Sequence, residues 1–102
     1  MVNEKAKKLF EKGVEFLNQN KFEDAIRSFD AALKIDDEYS DALNSKGVAL
    51  SYLGKHQEAI DCFDKALEIN PSNFGIWFNK GNIFAQLGNK KDAIKCFDES
   101  LK

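Results

Sequence analysis

The sequence predicts an all-α fold of three antiparallel helix hairpins, and an internal repeat with a period of 34 residues is the main observation behind this prediction. One pattern recurs as AIRSFDAAL, AIDCFDKAL and AIKCFDESL at 25–33, 59–67 and 93–101. A Lys-Gly pair recurs with the same period, at 12–13, 46–47 and 80–81. Aligning 6–39 with 40–73 gives 12 identities in 34 positions. Such repeats are typical of stacked hairpins, because one hairpin cannot bury its apolar face alone.

The first hairpin is predicted from two apolar stripes. Residues 4–18 place apolar side chains at three- and four-residue steps, which is typical of an amphipathic helix. Asn3 is a suitable N-cap, and Asn18-Gln19-Asn20 ends the helix because asparagine tolerates the left-handed conformation. A second stripe of the same spacing predicts a helix at 22–35.

The remaining hairpins follow the same pattern. Their helices are predicted at 41–53, 56–69, 75–87 and 90–102, the last of which runs to the final residue. Gly54 and Gly88 are expected to be C-cap glycines. Asn70-Pro71 ends the fourth helix, because proline cannot continue a helix. No segment sustains period-two alternation, so no strand is predicted.

Small residues recur where the paired helices must approach closely. Glycines lie in the middle of predicted helices at 13, 47 and 81. A glycine there costs roughly 0.5–1 kcal/mol relative to alanine, which indicates a steric demand. We expect each glycine to face an alanine of the paired helix, at 25, 59 and 93. We expect phenylalanines to fill the space between successive hairpins, at 29, 63 and 97.

The composition describes one globular domain and disfavours nucleic acid and membranes as partners. The chain has 102 residues, 43% of them hydrophobic, and a formal charge of −2. A protein that binds nucleic-acid phosphates is expected to carry a basic excess. No apolar run approaches the roughly 20 residues that span a bilayer. A charged start without an apolar signal core, together with only two cysteines, predicts a cytoplasmic protein.

The chain resembles the tetratricopeptide repeat family over residues 6–102. The matching residues are Leu43, Gly47, Leu50, Gly54, Ala59, Phe63, Ala66 and Pro71 in the second repeat, and Trp77, Gly81 and Phe84 in the third. The resemblance implies a right-handed superhelical stack of helix pairs. This stack would form a single domain at 1–102, with repeats at about 6–39, 40–73 and 74–102. The chain departs from the family at positions 12, 46 and 80, where it has lysine and the family often has leucine. We expect the aliphatic stems of these lysines to pack and their ammonium groups to reach water.

The resemblance also implies a concave groove, lined by the first helix of each pair, that binds peptides or proteins without catalysis. The corresponding residues are Phe10, Val14, Leu17, Asn44, Ser45, Val48, Tyr52, Phe78, Asn79, Asn82 and Gln86. Their amides offer donors and acceptors to an extended peptide backbone, and their aromatic rings can form pockets for apolar side chains. The alternative interpretation is a solvated polar face with incidental aromatic residues.

One subclass of the family holds the acidic C-terminal tail of its partner with a clamp of lysine, arginine and asparagine. The matching positions here are Phe10, Val14, Ser45, Gly75 and Asn79. None of them carries a cation, so we expect a neutral or apolar protein or peptide partner rather than an acidic tail.

Residues that could carry chemistry lack the companions that catalysis or metal binding requires. His56 is the only histidine and is expected to pack or face solvent. Cys62 and Cys96 occupy equivalent positions in adjacent repeats, too far apart for a disulfide. The recurring Asp30, Asp64 and Asp98 indicate a solvated face or a salt link between helices. We therefore predict no enzyme, no metal and no cofactor.

The alternative function is structural. Ile94, Phe97 and Leu101 continue an apolar stripe that a following hairpin covers in the earlier repeats. A terminal repeat normally has a polar outer face for solubility. This stripe therefore predicts self-association through the C-terminal hairpin, or that the chain is a fragment of a longer array.

Overall fold

The computed structural model describes residues 3–102, and all regular structure within that range is α-helical. Three hairpins follow one another along the chain: hairpin 1 is α1–α2, hairpin 2 is α3–α4 and hairpin 3 is α5–α6. The helices are α1 (Glu4–Asn18), α2 (Phe22–Ile35), α3 (Ser40–Tyr52), α4 (His56–Ile69), α5 (Phe74–Gln86) and α6 (Lys90–Ser100). The predicted all-α arrangement of stacked hairpins is confirmed.

The helix ends are set by the residues that the sequence singled out. The Asn3 side chain accepts hydrogen bonds from the backbone N–H groups of Lys5 and Ala6, at 2.8 and 3.2 Å. Asn20 and Gly54 follow their helices with φ of 62° and 77°. This left-handed backbone ends a helix, and it costs asparagine and glycine little.

Three predicted helices differ from the structure at five of their ends. Helices α3 and α5 each begin and end one residue earlier than predicted. Helix α6 ends at Ser100 instead of running to Lys102. There the Ser100 hydroxyl donates a hydrogen bond to the Phe97 carbonyl oxygen at 2.6 Å. The Lys102 N–H donates to the carbonyl oxygen of Glu99, which is only three residues earlier. These local bonds replace the regular four-residue pattern.

Each hairpin is held together by a glycine that receives a phenylalanine ring. A Cβ atom on Gly47 would lie 2.6 Å from Cε1 of Phe63, and Gly13 and Gly81 meet Phe29 and Phe97 in the same way. The space that a Cβ atom on each glycine would need is therefore occupied by a ring of the paired helix. The alanine predicted to face each glycine is not among the atoms nearest to that space, because the repeat period does not reveal which residue of the paired helix lies opposite.

Neighbouring hairpins are joined by buried apolar residues and by a repeated ion pair. Phe63 shares a buried cluster with Ile76 and Ile83 of α5. Lys46 Nζ lies 2.7 Å from Asp30, and Lys80 Nζ lies 2.7 Å from Asp64. Burial alone would lower the pKa of Lys46, but the hydrogen bond and charge of Asp30 outweigh it and raise the pKa. The predicted salt link between helices is confirmed at these two junctions.

Each hairpin contacts only its neighbours, and the stack measures 39 × 28 × 18 Å. Helix α3 contacts both α1 and α5, so the first helices of the three hairpins lie side by side. Because α3 packs against α2, α4 and α5, its buried residues occupy several sides: Ala42, Leu43, Gly47, Ala49 and Leu50. The first helices thus form one continuous surface, and the candidate site lies on it.

Candidate functional site

A shallow cavity, called here the inner groove, lies between α3 and α5. Its volume is about 190 Å³, below the roughly 300–1,000 Å³ that is usual for small-molecule sites. Its lining comes from α3, α4 and α5 and comprises Val48, Ser51, Tyr52, Phe63, Asn79, Asn82, Ile83 and Gln86. The structure therefore brings together five residues that the sequence assigned to a groove: Val48, Tyr52, Asn79, Asn82 and Gln86. Ser51 lies among them, on the same predicted face of α3 as Val48 and Tyr52.

Local contacts fix the orientation of the groove side chains. Asn79 Nδ2 donates to Asn44 Oδ1 at 3.1 Å, which bridges α5 and α3. The Tyr52 ring is 68% exposed and stacks on Phe22, with ring centroids 4.8 Å apart. The Ser51 hydroxyl is turned back to the Gly47 carbonyl oxygen at 2.8 Å. A braced aromatic ring and an oriented amide therefore face the cavity.

The three groove residues predicted from the first repeat do not line this cavity. Phe10 packs against Tyr39 and Phe29, with centroid distances of 5.2 and 5.8 Å. Its ring is partly buried against neighbouring apolar side chains. Val14 and Leu17 are half-buried on α1. Phe10 therefore contributes to packing in hairpin 1, whereas the open part of the surface lies between hairpins 2 and 3.

The remaining predicted residues lie beside the inner groove. Asn44 is held by its bond to Asn79, and Ser45 is half-buried. Phe78 is exposed and contacts Phe97, with centroids 5.7 Å apart. Phe78 therefore belongs to the outer end of hairpin 3 as much as to the surface of the first helices.

Two lining residues, Phe63 and Ile83, were missed by the sequence interpretation. Both are nearly fully buried, yet part of each forms the floor of the cavity. The repeat motif assigned Phe63 to packing alone. Ile83 aligns with Ala49, so the period could not show that a larger apolar side chain reaches the groove.

The inner groove is uncharged and apolar at its base. Its lining holds one serine, one tyrosine and three amide side chains beside three apolar ones, and no Asp, Glu, Lys or Arg. Among residues 3–102 there is no group of three or more His, Cys, Asp or Glu side chains placed to hold a metal ion. No helix in that range is both long and apolar enough to cross a membrane.

Both cysteine thiols are buried beside a lysine of the neighbouring helix. Cys62 and Cys96 are free and buried. Burial raises the pKa of both thiols, and the nearby Lys46 and Lys80 offset this only in part. Each thiol therefore stays protonated and shielded, in keeping with a packing role.

We expect both thiols to react with a disulfide reagent at about pH 8 at least about tenfold more slowly in the folded protein than in denaturant. The rate should rise with pH, because the thiolate is the reactive form and its pKa is raised. Cys96 should react before Cys62, since hairpin 3 has a neighbour on one side only. Equal, fast reaction of both in the folded state would contradict this prediction.

The outer end of hairpin 3, called here the C-terminal face, consists of Phe78, Ile94, Phe97, Asp98 and Leu101. Ile94 and Leu101 are 59% and 85% exposed, whereas the equivalent Ile60 and Leu67 of hairpin 2 are each 7% exposed. Phe97 is half-buried because its ring lies against Gly81 and Phe78. The predicted stripe is therefore open at Ile94 and Leu101 and partly covered at Phe97.

The stacked hairpins and the groove beside α3 define an α-solenoid repeat protein. Family models described as tetratricopeptide repeat match residues 6–39, 40–73 and 62–95. The chain belongs to the tetratricopeptide repeat family. No curated protein sequence matches it significantly.

Solved structures confirm the fold. A structure of MamA is similar with a TM-score of 0.89 and 23% identity, over 94% of this chain and 56% of that chain. The second TPR of Spaghetti (RPAP3), bound to the HSP90 peptide SRMEEVD, is similar with a TM-score of 0.91 and 20% identity, over 96% of this chain and 91% of that chain. The Sgt2 TPR domain from Aspergillus fumigatus is similar with a TM-score of 0.92 and 20% identity, over 97% of this chain and 66% of that chain. This chain spans about half the length of the MamA chains that it matches.

Proposed function

We propose that this chain is a protein-interaction module that binds an extended, uncharged peptide segment in the inner groove, without catalysis. The observation that carries the proposal is the combination of an apolar floor with free amides at the rim. Val48, Phe63 and Ile83 form the apolar part, and Asn82 and Gln86 provide amides beside it. Among residues 3–102, neither of these two amide side chains has a protein hydrogen-bond partner, so both can pair with a peptide backbone.

The size and charge of the groove select the kind of ligand. A cavity of about 190 Å³ suits an apolar side chain of a peptide better than a separate small molecule. Because no charged residue lines it, an acidic or basic ligand side chain would lose water without gaining an ion pair. The favoured partner is therefore a neutral segment with an apolar anchor.

The relatives support a binding role at the level of the family. The tetratricopeptide repeat is generally a non-catalytic interaction fold, and the second TPR of Spaghetti was solved with a bound peptide. That peptide, SRMEEVD, is acidic. The neutral inner groove here favours a different ligand class, in agreement with the missing cations at Phe10, Val14, Ser45, Gly75 and Asn79.

A peptide-library screen tests this proposal with two groove variants. We expect Asn82→Ala to weaken the selected peptides by about fivefold, as loss of one hydrogen bond does. Tyr52→Ala should weaken them by about tenfold or more, because an exposed, braced ring is a typical binding hot spot. Phe74→Ala is the matched control, since Phe74 is 70% exposed and does not line the groove.

The outcome of the screen is decided by the comparison of these variants. Unchanged affinities for Asn82→Ala and Tyr52→Ala would favour the alternative interpretation, a solvated face with incidental aromatic residues. An equal loss for Phe74→Ala would place the binding surface outside the inner groove.

The second candidate function is self-association, or continuation of a longer array, through Ile94, Phe97 and Leu101. The exposure of Ile94 and Leu101 favours it. Light scattering across a concentration series distinguishes it from peptide binding. A molar mass that increases with concentration supports self-association, and a constant monomer mass contradicts it.

A further inference from the structure

A second groove, called here the outer groove, lies between α2 and α4, with α3 at its base. Both helices pack against α3, but among residues 3–102 they do not contact each other. The gap between them holds two adjoining cavities of about 430 and 390 Å³, each within the roughly 300–1,000 Å³ that is usual for binding sites. The cavities share Asp37, Leu43 and Lys65, so they form one continuous groove. Its lining residues lie within 30–38, 43–50 and 58–69.

Helix α3 separates the outer groove from the inner groove. Leu43 and Leu50, which are seven positions apart on α3, lie at the base of the outer groove. Val48 and Tyr52, which are four positions apart, line the inner groove. At 3.6 residues per turn, these two pairs point to opposite sides of the helix. The two grooves are therefore separate surfaces, and each can be tested without the other.

The outer groove has an apolar base and an acidic rim. Leu43, Leu50 and Cys62 are buried at its base. Its lining includes six acidic residues and two lysines, which gives it a formal charge of −4. One of these carboxylates, on Asp30, pairs with Lys46. The five others are exposed and form no ion pair within residues 3–102, namely Asp37, Glu38, Glu58, Asp61 and Glu68.

The repeat itself does not require this negative charge. The cavity at the equivalent place on hairpin 3 is lined by three acidic residues and three lysines, so it is formally neutral. Asp61 and Glu68 stand at positions that are basic in both other hairpins. The aligned basic residues are Arg27, Lys34, Lys95 and Lys102. The acidic rim is therefore a property of the outer groove and not of the fold.

The cations near the rim leave most of its charge unneutralised. Lys65 lies on α4 between Asp61 and Glu68, yet it forms no ion pair within the described part of the chain. Arg27 of α2 pairs with Asp24, and neither Arg27 nor Lys34 lines the groove. The open rim thus holds five unpaired carboxylates and one unpaired lysine, and such a concentration of one sign of charge attracts cations.

The carboxylates of the rim are spread along the groove. Glu58 and Glu68 are ten residues apart on α4, which corresponds to about 15 Å along the helix axis. Among residues 3–102, no three acidic, histidine or cysteine side chains are grouped so that they could hold a metal ion. This spacing suits several cationic side chains on one chain better than a single ion. An extended chain covers about 15 Å with four to five residues.

We propose that the outer groove binds a basic segment of a partner protein. Lysine or arginine side chains at one end of the segment pair with Glu58 and Asp61, and those at the other end pair with Glu38 and Glu68. An apolar residue between them contacts the base near Leu43. The aliphatic stems of the basic residues also pack on the groove, while their charged ends reach the rim. The module then has two binding surfaces, a neutral inner groove and an acidic outer groove.

The probe for this proposal is a peptide blocked at both ends, Lys-Arg-Leu-Val-Leu-Arg-Lys, in which two basic pairs flank an apolar centre. NMR titration of the whole labelled chain should shift the signals of Asp61 and Glu68 and leave those of Tyr52 and Gln86 unchanged. A control peptide with glutamine in place of each basic residue should bind the outer groove about tenfold more weakly or less. Added salt should weaken the basic peptide, because exposed ion pairs are screened.

Charge reversal at the rim locates the binding surface. The double variant Asp61→Lys/Glu68→Lys should weaken the basic peptide about tenfold or more. Because other hairpins carry basic residues at these positions, the circular dichroism spectrum should stay unchanged. The matched control is Glu15→Lys/Asp98→Lys, which alters the net charge equally at two exposed residues outside the groove. Its affinity should stay within about twofold of that of the wild-type chain.

Three results would overturn the proposal. The first is an absence of shifts at Asp61 and Glu68, with or without shifts at the inner groove. The second is equal binding of the basic peptide and the glutamine peptide to the outer groove. The third is equal weakening by the rim variant and by the matched control, since the peptide would then respond to the net charge of the chain and not to the outer groove.

Discussion

Phe63→Ala is expected to lower the free energy of unfolding by about 3–5 kcal/mol, the usual cost of removing a buried phenylalanine. The Phe63 ring is 1% exposed, lies against Gly47 and contacts the cluster that joins hairpins 2 and 3. Domains of this size are stable by only about 5–15 kcal/mol, so this variant should be close to unfolding. Urea denaturation followed by circular dichroism measures the change.

Two matched variants show that this effect comes from burial in the centre of the stack. Phe74→Ala removes an exposed ring and should change stability by no more than about 0.5 kcal/mol. Phe97→Ala should cost less than Phe63→Ala, because Phe97 is only half-buried. Equal losses for Phe63→Ala and Phe97→Ala would show that the centre of the stack is no more tightly packed than its end.

Gly47→Ala is expected to lower the free energy of unfolding by about 1–3 kcal/mol, as overpacking of a core does. The new Cβ atom would lie 2.6 Å from Cε1 and 2.9 Å from Cδ1 and Cζ of Phe63. The buried ring cannot move aside without disturbing its neighbours. Alanine alone would favour the helix by roughly 0.5–1 kcal/mol, so steric conflict has to exceed this gain.

A double-mutant cycle gives this second prediction its sharpest test. In a Phe63→Ala background the conflict is absent, so Gly47→Ala should stabilise the chain by up to about 1 kcal/mol, its helix-propensity gain. The same substitution is thus expected to change sign with its neighbour. Destabilisation of equal size in both backgrounds would show that the ring of Phe63 is not the reason for glycine at this position. If the double variant is too unstable at ordinary temperature, the cycle can be measured in a stabilising osmolyte.

The helices could be predicted closely because their ends are determined by nearby residues. Asn3 and Gly54 act within a few residues of their own positions, so the sequence itself carries the information. The end of α6 is also determined locally, because the Ser100 hydroxyl donates to the Phe97 carbonyl oxygen. The prediction missed this end because a serine is not a strong stop signal of the kind that asparagine and glycine give. Repeat periodicity added the pairing of helices and the order of hairpins.

The candidate site was predicted only in part, because the period gives equivalent positions and not equivalent surroundings. Phe10 and Asn44 align, yet Phe10 packs on Tyr39, a residue at the end of the first repeat and outside the recurring motif. Asn44 instead receives a hydrogen bond from Asn79. Which of these positions is open depends on side chains from the neighbouring hairpin, and the alignment of repeats contains no information about them.

The restriction of contacts to adjacent hairpins has a consequence for how this chain folds. Each hairpin joins segments that are close along the chain, so little entropy is lost in closing the loops between them. Topologies dominated by such local contacts fold rapidly. Hairpin 2 has a neighbour on both sides, so structure that forms there can spread towards either terminus.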